Sequence, residues 1–269
     1  MIMEKLIVLG TGNASVTHCF NTCFALRHGD EYLLVDAGGG NGILAALEQQ
    51  QIPLEQIHHI FVTHAHSDHI LGMAWMIRMI GTKMNKGTYQ GTLSIYCHKE
   101  LEEAIKTIAS LTVQAKICRH FDERIQFHVV EDGTVLDILG SRFTFLDIRS
   151  TKAKQTGFSC VTSNGIRVAF PGDEPCPDFL FDIFRDADWM FHEAFCLYEE
   201  RSRFKPYEKH HSTVRDACEL AQSLSIKNLI LWHTEDKDIP HRKERYLAEG
   251  TPVYAGNLYV PDDGEQFSL

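Results

Sequence analysis

The ten residues from Thr63, THAHSDHILG, place three histidines and an aspartate (His64, His66, Asp68 and His69) in one short turn of chain, directly after the strand-like run HHIFV. Two histidines at alternate positions of an extended loop turn their imidazoles to the same side. Asp68 and His69 follow as the chain enters a helix, and they face a second point nearby. One loop of this kind serves two cations, and imidazole with carboxylate suits zinc, manganese or iron better than calcium or magnesium. A dinuclear site needs further donors, including a bridging carboxylate, and these must come from other strand ends.

The chain supplies such ends repeatedly. KLIVLG, TCFALRH and EYLLVDAG are short β-type runs, each followed by turn residues, and they read as a meander. A helical NGILAALEQQ precedes the strand that carries the histidines, HILGMAWMIRMI continues as one apolar helix, and LSIYC followed by KELEEAIKTIASL repeats the strand-then-helix order. FHVVEDG and RFTFLDI are followed by GFSCVTSNGIRVAFPGDE, two strands joined at Asn164-Gly165, a favoured two-residue hairpin turn. In STVRDACELAQSL, Val214, Ala217, Cys218, Ala221 and Leu224 recur at helical spacing behind an N-cap at Ser212 or Thr213. Asp173 follows the strand IRVAF, His192 and Glu193 end DWMF, and His233 ends LILW, so polar residues recur where strands stop. No linker or repeat divides residues 1–269, which are expected to form a single domain. Sheets as scaffold with chemistry at one rim fit a layered α/β protein.

Composition narrows the partners. A formal net charge of -10 disfavours indiscriminate attraction to nucleic acid or anionic membrane, so a phosphate-bearing substrate has to be held locally. Eight cysteines without a CxxC pair, and a start (MIMEKLIVLG) without a charged segment followed by a long apolar run, lead to the expectation of a reduced, cytoplasmic protein. No stretch is apolar for long enough to span a bilayer. Arg201, Arg203, Lys205 and Lys209, with Lys152 and Lys154, are the local cations available for an anion, and Phe204 and Tyr207 lie among them as surfaces for a base. LGTGNAS lacks the third glycine of a dinucleotide loop and reads as a tight strand-end turn.

LGTGN, LLVDAGGG, IFVTHAHSDHILG, PGDE, HEAF, HHSTVRDACELA and LILWHTED occur in an order that resembles the metallo-β-lactamase-fold hydrolases of the ribonuclease Z-like branch over nearly the whole chain. HxHxDH alone indicates the superfamily, whereas HEA followed by HST points toward phosphodiester chemistry. The resemblance implies a four-layer αββα sandwich and two divalent metal ions, zinc first, with manganese or iron as alternatives. It implies that His64 and His66 bind one metal, that Asp68, His69 and His233 bind the other, and that Asp173 bridges them. It implies that Asp68 also orients the attacking hydroxide, that Glu193 and His211 pass a proton to the leaving group, and that Asp36 orders the metal loop without ligating.

Two departures qualify that expectation. The first metal should receive a third histidine from FLDIRSTKAKQTGF, which has none; Arg149 is the occupant expected by position, which would weaken that site, with His120 and His128 as other donors. The glycine- and proline-rich arm with which tRNA-processing members grip the tRNA elbow is also missing between this segment and Asp173. The expected function is therefore a phosphodiesterase acting on a small or nucleotide-derived phosphodiester. The alternatives are a tRNA 3'-end endonuclease, a hydrolase of a carboxylic or sulfuric ester, lactone or thioester, and a non-catalytic metal-binding sensor with a degenerate first site. A homodimer is expected by resemblance.

Overall fold

The computed structural model describes residues 4–269; Met1, Ile2 and Met3, on which the reading of the chain's start partly rests, lie outside the described residues. β1 (Glu4–Gly10), β2 (Cys23–His28) and β3 (Glu31–Val35) form the expected antiparallel meander. From β3 the chain crosses through α1 (Gly42–Gln49) to β4 (Ile57–Phe61), then through α2 (Ser67–Ile70) and α3 (Gly72–Lys86) to β5 (Leu93–Cys97). α4 (Lys99–Thr112) and α5 (Ala115–Cys118) lead to β6 (Ile125–Val129). β3 to β6 pair parallel, as helical crossovers require.

The second half repeats this plan. β7 (Val135–Ile138), β8 (Ser141–Asp147), β9 (Thr156–Val161) and β10 (Arg167–Phe170) are antiparallel. α6 (Phe181–Phe184) then leads to β11 (Trp189–Glu193), and α7 (Arg201–Phe204) and α8 (Val214–Ser223) to β12 (Asn228–Trp232). α9 (Ile239–Gly250) leads to β13 (Asn257–Tyr259), and β10 to β13 pair parallel. β14 (Gln266–Ser268) returns to pair with β1. The sheet orders are β14-β1-β2-β3-β4-β5-β6 and β13-β12-β11-β10-β9-β8-β7.

Alternation along each strand explains the four layers. Leu6 and Val8 of β1, Leu33 and Val35 of β3, and Ile230 and Trp232 of β12 point into one core between the sheets. Their neighbours Ile7, Leu9 and Leu34 pack instead beneath helices with Met73, Ile77 and Leu101, while Leu229 and Leu231 pack beneath α8 and α9. Both faces of these strands are thus buried, which is why they read as continuous apolar runs. Phe24 stacks on Trp232 with ring centroids 4.9 Å apart, joining the two sheets at the centre of that core. Burying side chains of this size stabilises the fold by about 1.5–3 kcal/mol each. The αββα sandwich is therefore the architecture of the chain.

Several local expectations are corrected. The helix expected through HILGMAWMIRMI is broken at Leu71 into α2 and α3. Gly72 begins α3 so close to the preceding loop that an added Cβ would lie 1.8 Å from the Ala37 carbonyl oxygen, and the chain bends there to pass it. The hairpin at Asn164-Gly165 forms, but its connection runs over residues 162–166 with Gly165 at φ +85°, because Thr162 N–H bonds to Ile166 O at 2.9 Å. α8 is capped by Thr213, with Asp216 returning the bond in a capping box. All eight cysteines are free, and among the described residues no helix is long and apolar enough to cross a membrane.

Candidate metal centre

Parallel pairing puts the C-terminal ends of β3, β4, β10, β11 and β12 on one rim, and each delivers a candidate residue there: Asp36, His64 to His69, Asp173, Glu193 and His233. The donor atoms form two groups, His64 with His66 and Asp173, and Asp68 with His69 and His233; within each group they lie within 4.8 Å of one another. Asp173 Oδ2 is central, at 3.4 Å from His64 Nε2, 3.3 Å from His69 Nε2 and 3.6 Å from His233 Nε2. The six residues named from three separate stretches of sequence are thus brought together.

Bracing residues set the imidazole tautomers. Asp36 sits in the left-handed region at φ 59°, and its Oδ1 accepts the Thr63 N–H at 2.8 Å. Its Oδ2 accepts the Thr63 hydroxyl at 2.8 Å and the His69 Nδ1–H at 2.7 Å. With its proton committed to Asp36, the Thr63 hydroxyl accepts from His64 Nδ1, 2.9 Å away. Both Nδ1 atoms are thereby engaged and both Nε2 atoms face Asp173; that of His64 also lies 2.8 Å from His66 Nδ1, whereas His69 Nε2 makes no hydrogen bond despite its burial. Asp36 thus orders the loop from behind.

Charge is distributed to match. Burial pushes the His64 pKa down to about 3 and that of His233 to about 4, so both are neutral and able to donate a lone pair. Burial opposes charge on Asp173 and Asp68 too, but the surrounding histidines overcome it and hold both carboxyls below their usual range. Burial disfavours charge on His69 too, but Asp36 and Asp173 outweigh it and raise its pKa well above normal, so at Nε2 a cation competes with a proton.

These residues fit a divalent cation pair. Tetrahedral ligands about 2.0–2.1 Å from zinc are separated by about 3.4 Å, and the spacings around Asp173 Oδ2 are 3.3–3.6 Å. That is long for hydrogen bonds, and the donor set is all imidazole and carboxylate.

Beside the cluster, Glu193 is fully buried, accepts the Ser212 N–H and lies 3.5 Å from His211 Nδ1. The His211 ring stacks on Phe195 at 5.1 Å and 7° and lies 5.2 Å from the ring of His233. Burial disfavours its charged form, but Glu193 and Asp173 prevail against it and against Lys152, so its pKa is raised. His192 is turned away: its Nε2 accepts the Cys176 N–H at 3.2 Å, tying down the loop behind Asp173.

Arg149 is not where position in the sequence put it. It lies two residues after β8 in the left-handed region at φ 57°, exposed, with its guanidinium 4.2 Å over the Phe179 ring. The side chains from this loop that turn toward the site are Gln155, which donates to Asp173 Oδ1, and Lys152. His120 bonds to Asn85 at 2.9 Å and His128 to Ser94 at 3.2 Å, both away from the centre.

The cluster opens into a cavity of about 530 Å³. Of the cations and aromatic residues singled out in the sequence, Lys152, Lys209 and Phe204 line it. Lys154 is bound to Glu131 at 2.8 Å, Arg201 lies 3.8 Å over Tyr198, and Tyr207 donates to Asp216 at 2.8 Å. Asn13, Ser15, Phe195, Glu235 and Lys237 line the cavity without having been foreseen. The signal was present in LGTGN: that loop is a strand-end turn, and Asn13 Nδ2 donates to Thr234 O at 2.9 Å, closing it against the residue after His233.

The same frame recurs in known proteins. Ribonuclease Z of Thermococcus sibiricus is 25% identical over 99% of this chain and 99% of its own length. The metallo-β-lactamase-fold protein YhfI from Bacillus subtilis superposes with a TM-score of 0.80 at 18% identity, covering 99% of this chain and 100% of its own. Human short-form tRNase Z superposes at 0.74 with 20% identity, covering 98% of both chains. The resemblance to the ribonuclease Z-like branch of the metallo-β-lactamase fold therefore holds from end to end. Within that fold one family's sequence profile spans residues 4–249, and the chain belongs to it: the family described as Anti-Pycsar protein Apyc1.

Proposed function

We propose that this chain is a metal-dependent phosphodiesterase that uses two divalent cations to hydrolyse a small or nucleotide-derived phosphodiester. The observation that carries this reading is the position of Asp173 Oδ2, within 3.6 Å of a histidine nitrogen on each side of a six-residue donor cluster. His64, His66 and Asp173 would hold one cation and Asp68, His69 and His233 the other, with Asp173 placed between the two groups. Bound there, divalent cations lower the pKa of water toward about 7 and neutralise charge on phosphoryl oxygens. Asp68, buried beside His69, orients the attacking oxygen. His211, whose charged form the nearby Glu193 carboxylate favours, faces the cavity and gives its proton to the departing alkoxide. Phe195 fixes the plane of that imidazole by stacking.

Cavity size and surface charge support a small substrate. About 530 Å³ suits one drug-sized ligand, and a chain of net charge -10 repels a polyanion. The connection between β9 and β10 is only residues 162–166, so no arm rises there to hold a tRNA. The second reading, a tRNA 3'-end endonuclease, is favoured by the relative named ribonuclease Z. Zinc is the first metal of this proposal, with manganese or iron as alternatives, and the free thiols support a reducing, cytoplasmic setting. Residues 1–269 are taken as one domain, supported by the return of β14 to β1, and a homodimer is carried over from the resemblance.

The test is hydrolysis of bis(p-nitrophenyl) phosphate, a linear dinucleotide, a cyclic mononucleotide, precursor tRNA and a p-nitrophenyl ester with zinc, manganese or iron added. Turnover of small phosphodiesters, lost on chelation, is the expected result. Preference for precursor tRNA would select the second reading, and hydrolysis of the ester alone would overturn both.

A further inference from the structure

Two cations at the mouth of the centre lack a carboxylate partner. Among their neighbours Lys154 is paired with Glu131, Lys205 with Glu208 and Lys237 with Asp236. Lys152 and Lys209 line the cavity and, among the described residues, stand in no ion pair. They come from different loops, Lys152 from the β8–β9 connection and Lys209 from the segment before α8. The loops meet over the cavity, because the Lys152 ammonium donates to the Lys209 carbonyl oxygen. An ammonium has three donors, so Lys152 keeps two for a ligand. The Lys209 ammonium lies 4.7 Å over the ring of Phe195, the same ring that stacks on His211. Both positive groups are thus held beside the proton donor by neutral partners, a carbonyl and an aromatic face, which leave their charge unspent.

The well beneath them is acidic, with Asp68, Asp173, Glu174 and Glu235 on its walls. Bound cations would offset Asp68 and Asp173, but Glu174 and Glu235 still face an entering anion, which countercharge at the entrance relieves, whereas a neutral ester meets no such repulsion. We propose that Lys152 and Lys209 form a two-ammonium clamp for the phosphoryl oxygens of the substrate and select anionic diesters over neutral esters. The loop expected to supply a third histidine thus supplies a substrate-binding cation instead. This inference rests on the phosphodiesterase reading.

The experiment compares wild type with Lys152→Ala, Lys209→Ala, the double variant and Lys152→Arg, all loaded with zinc. Steady-state hydrolysis of bis(p-nitrophenyl) phosphate and of neutral p-nitrophenyl acetate is measured, together with calorimetric titration of inorganic phosphate and the metal content. Each alanine should raise KM for the diester about tenfold with little change in kcat, the scale of one charge-assisted hydrogen bond. Phosphate affinity should fall by a similar factor, the double variant should lose more, Lys152→Arg should recover most of the loss, and any acetate hydrolysis should be untouched. Unchanged KM and phosphate affinity in the double variant would overturn the clamp, as would loss of bound metal from Lys152→Ala. If the wild type hydrolyses no diester, the functional reading fails separately, and the phosphate titration still decides the clamp.

Discussion

The loop after β4 and the loop between β8 and β9 face the same centre, yet they are built on opposite terms. The first is largely buried, and a single carboxylate, Asp36, fixes two of its imidazoles directly and through Thr63. The second is exposed or half-buried throughout residues 149–154: Arg149 turns out over Phe179, Ser150 bonds to Glu174 at 2.8 Å, and Lys154 reaches back to Glu131. Groups that must keep bare nitrogens in fixed directions sit where neighbours over-determine them. Groups that meet a variable substrate sit nearer solvent, held by neutral partners that leave their charge free.

Substitutions that break the braced side should cost most. Asp173→Ala removes the oxygen lying between His64, His69 and His233, and it is expected to lower diester hydrolysis by more than about 10⁴-fold. Elemental analysis should show metal lost from both groups, and retention of two equivalents would show that Asp173 does not bridge. His211→Ala should cost about 10²–10⁴-fold, the range for a general acid, with metal content unchanged.

Glu193→Gln sharpens the role of that histidine. Glu193 does most to hold the His211 pKa up against burial, so removing its charge leaves only Asp173 to oppose burial and Lys152 and lowers the pKa. A general acid works while protonated, and activity falls as pH rises through its pKa. The alkaline limb of the rate profile should therefore move to lower pH in Glu193→Gln, and a limb that stays in place would assign it to another group.

Asp36→Asn tests the bracing itself. An amide nitrogen next to Thr63 and His69 presents a donor where the loop requires an acceptor, so one tautomer or one contact is lost. The expected cost is about 10–100-fold in metal affinity or activity, as for other residues that support metal-binding histidines. Metal titration followed by chelator competition measures it. A loss as large as that of Asp173→Ala would mean that Asp36 ligates.

The same contrast marks what was legible in the sequence. HxHxDH is contiguous, so its donors can be read without knowing any fold, and Asp173 and His233 follow apolar runs that end on the same rim. β7, β13 and β14 were not foreseen because edge strands of three or four residues carry too few positions to show alternation. α9 was hidden for another reason: its buried residues are Arg242, Tyr246 and Gly250, so the face it packs inward is not an apolar stripe. Arg242 is buried by bonding to Thr11, Thr234 and Pro261, a set of partners that sequence spacing does not reveal.

Arg149 is the clearest case of a position that counting along the chain misplaced. Where the backbone adopts φ 57° the direction of the side chain reverses relative to an extended loop, and the guanidinium goes to Phe179 while Lys152 and Gln155 turn inward. Arg149→His should therefore leave metal content and diester hydrolysis unchanged. It should cost only about 0.5–1 kcal/mol of stability, the scale of an exposed cation–π contact, because histidine tolerates the left-handed conformation better than most residues. Denaturant unfolding and elemental analysis of the same preparation check both halves, and an increase in bound metal would show that the loop can turn this side chain inward after all.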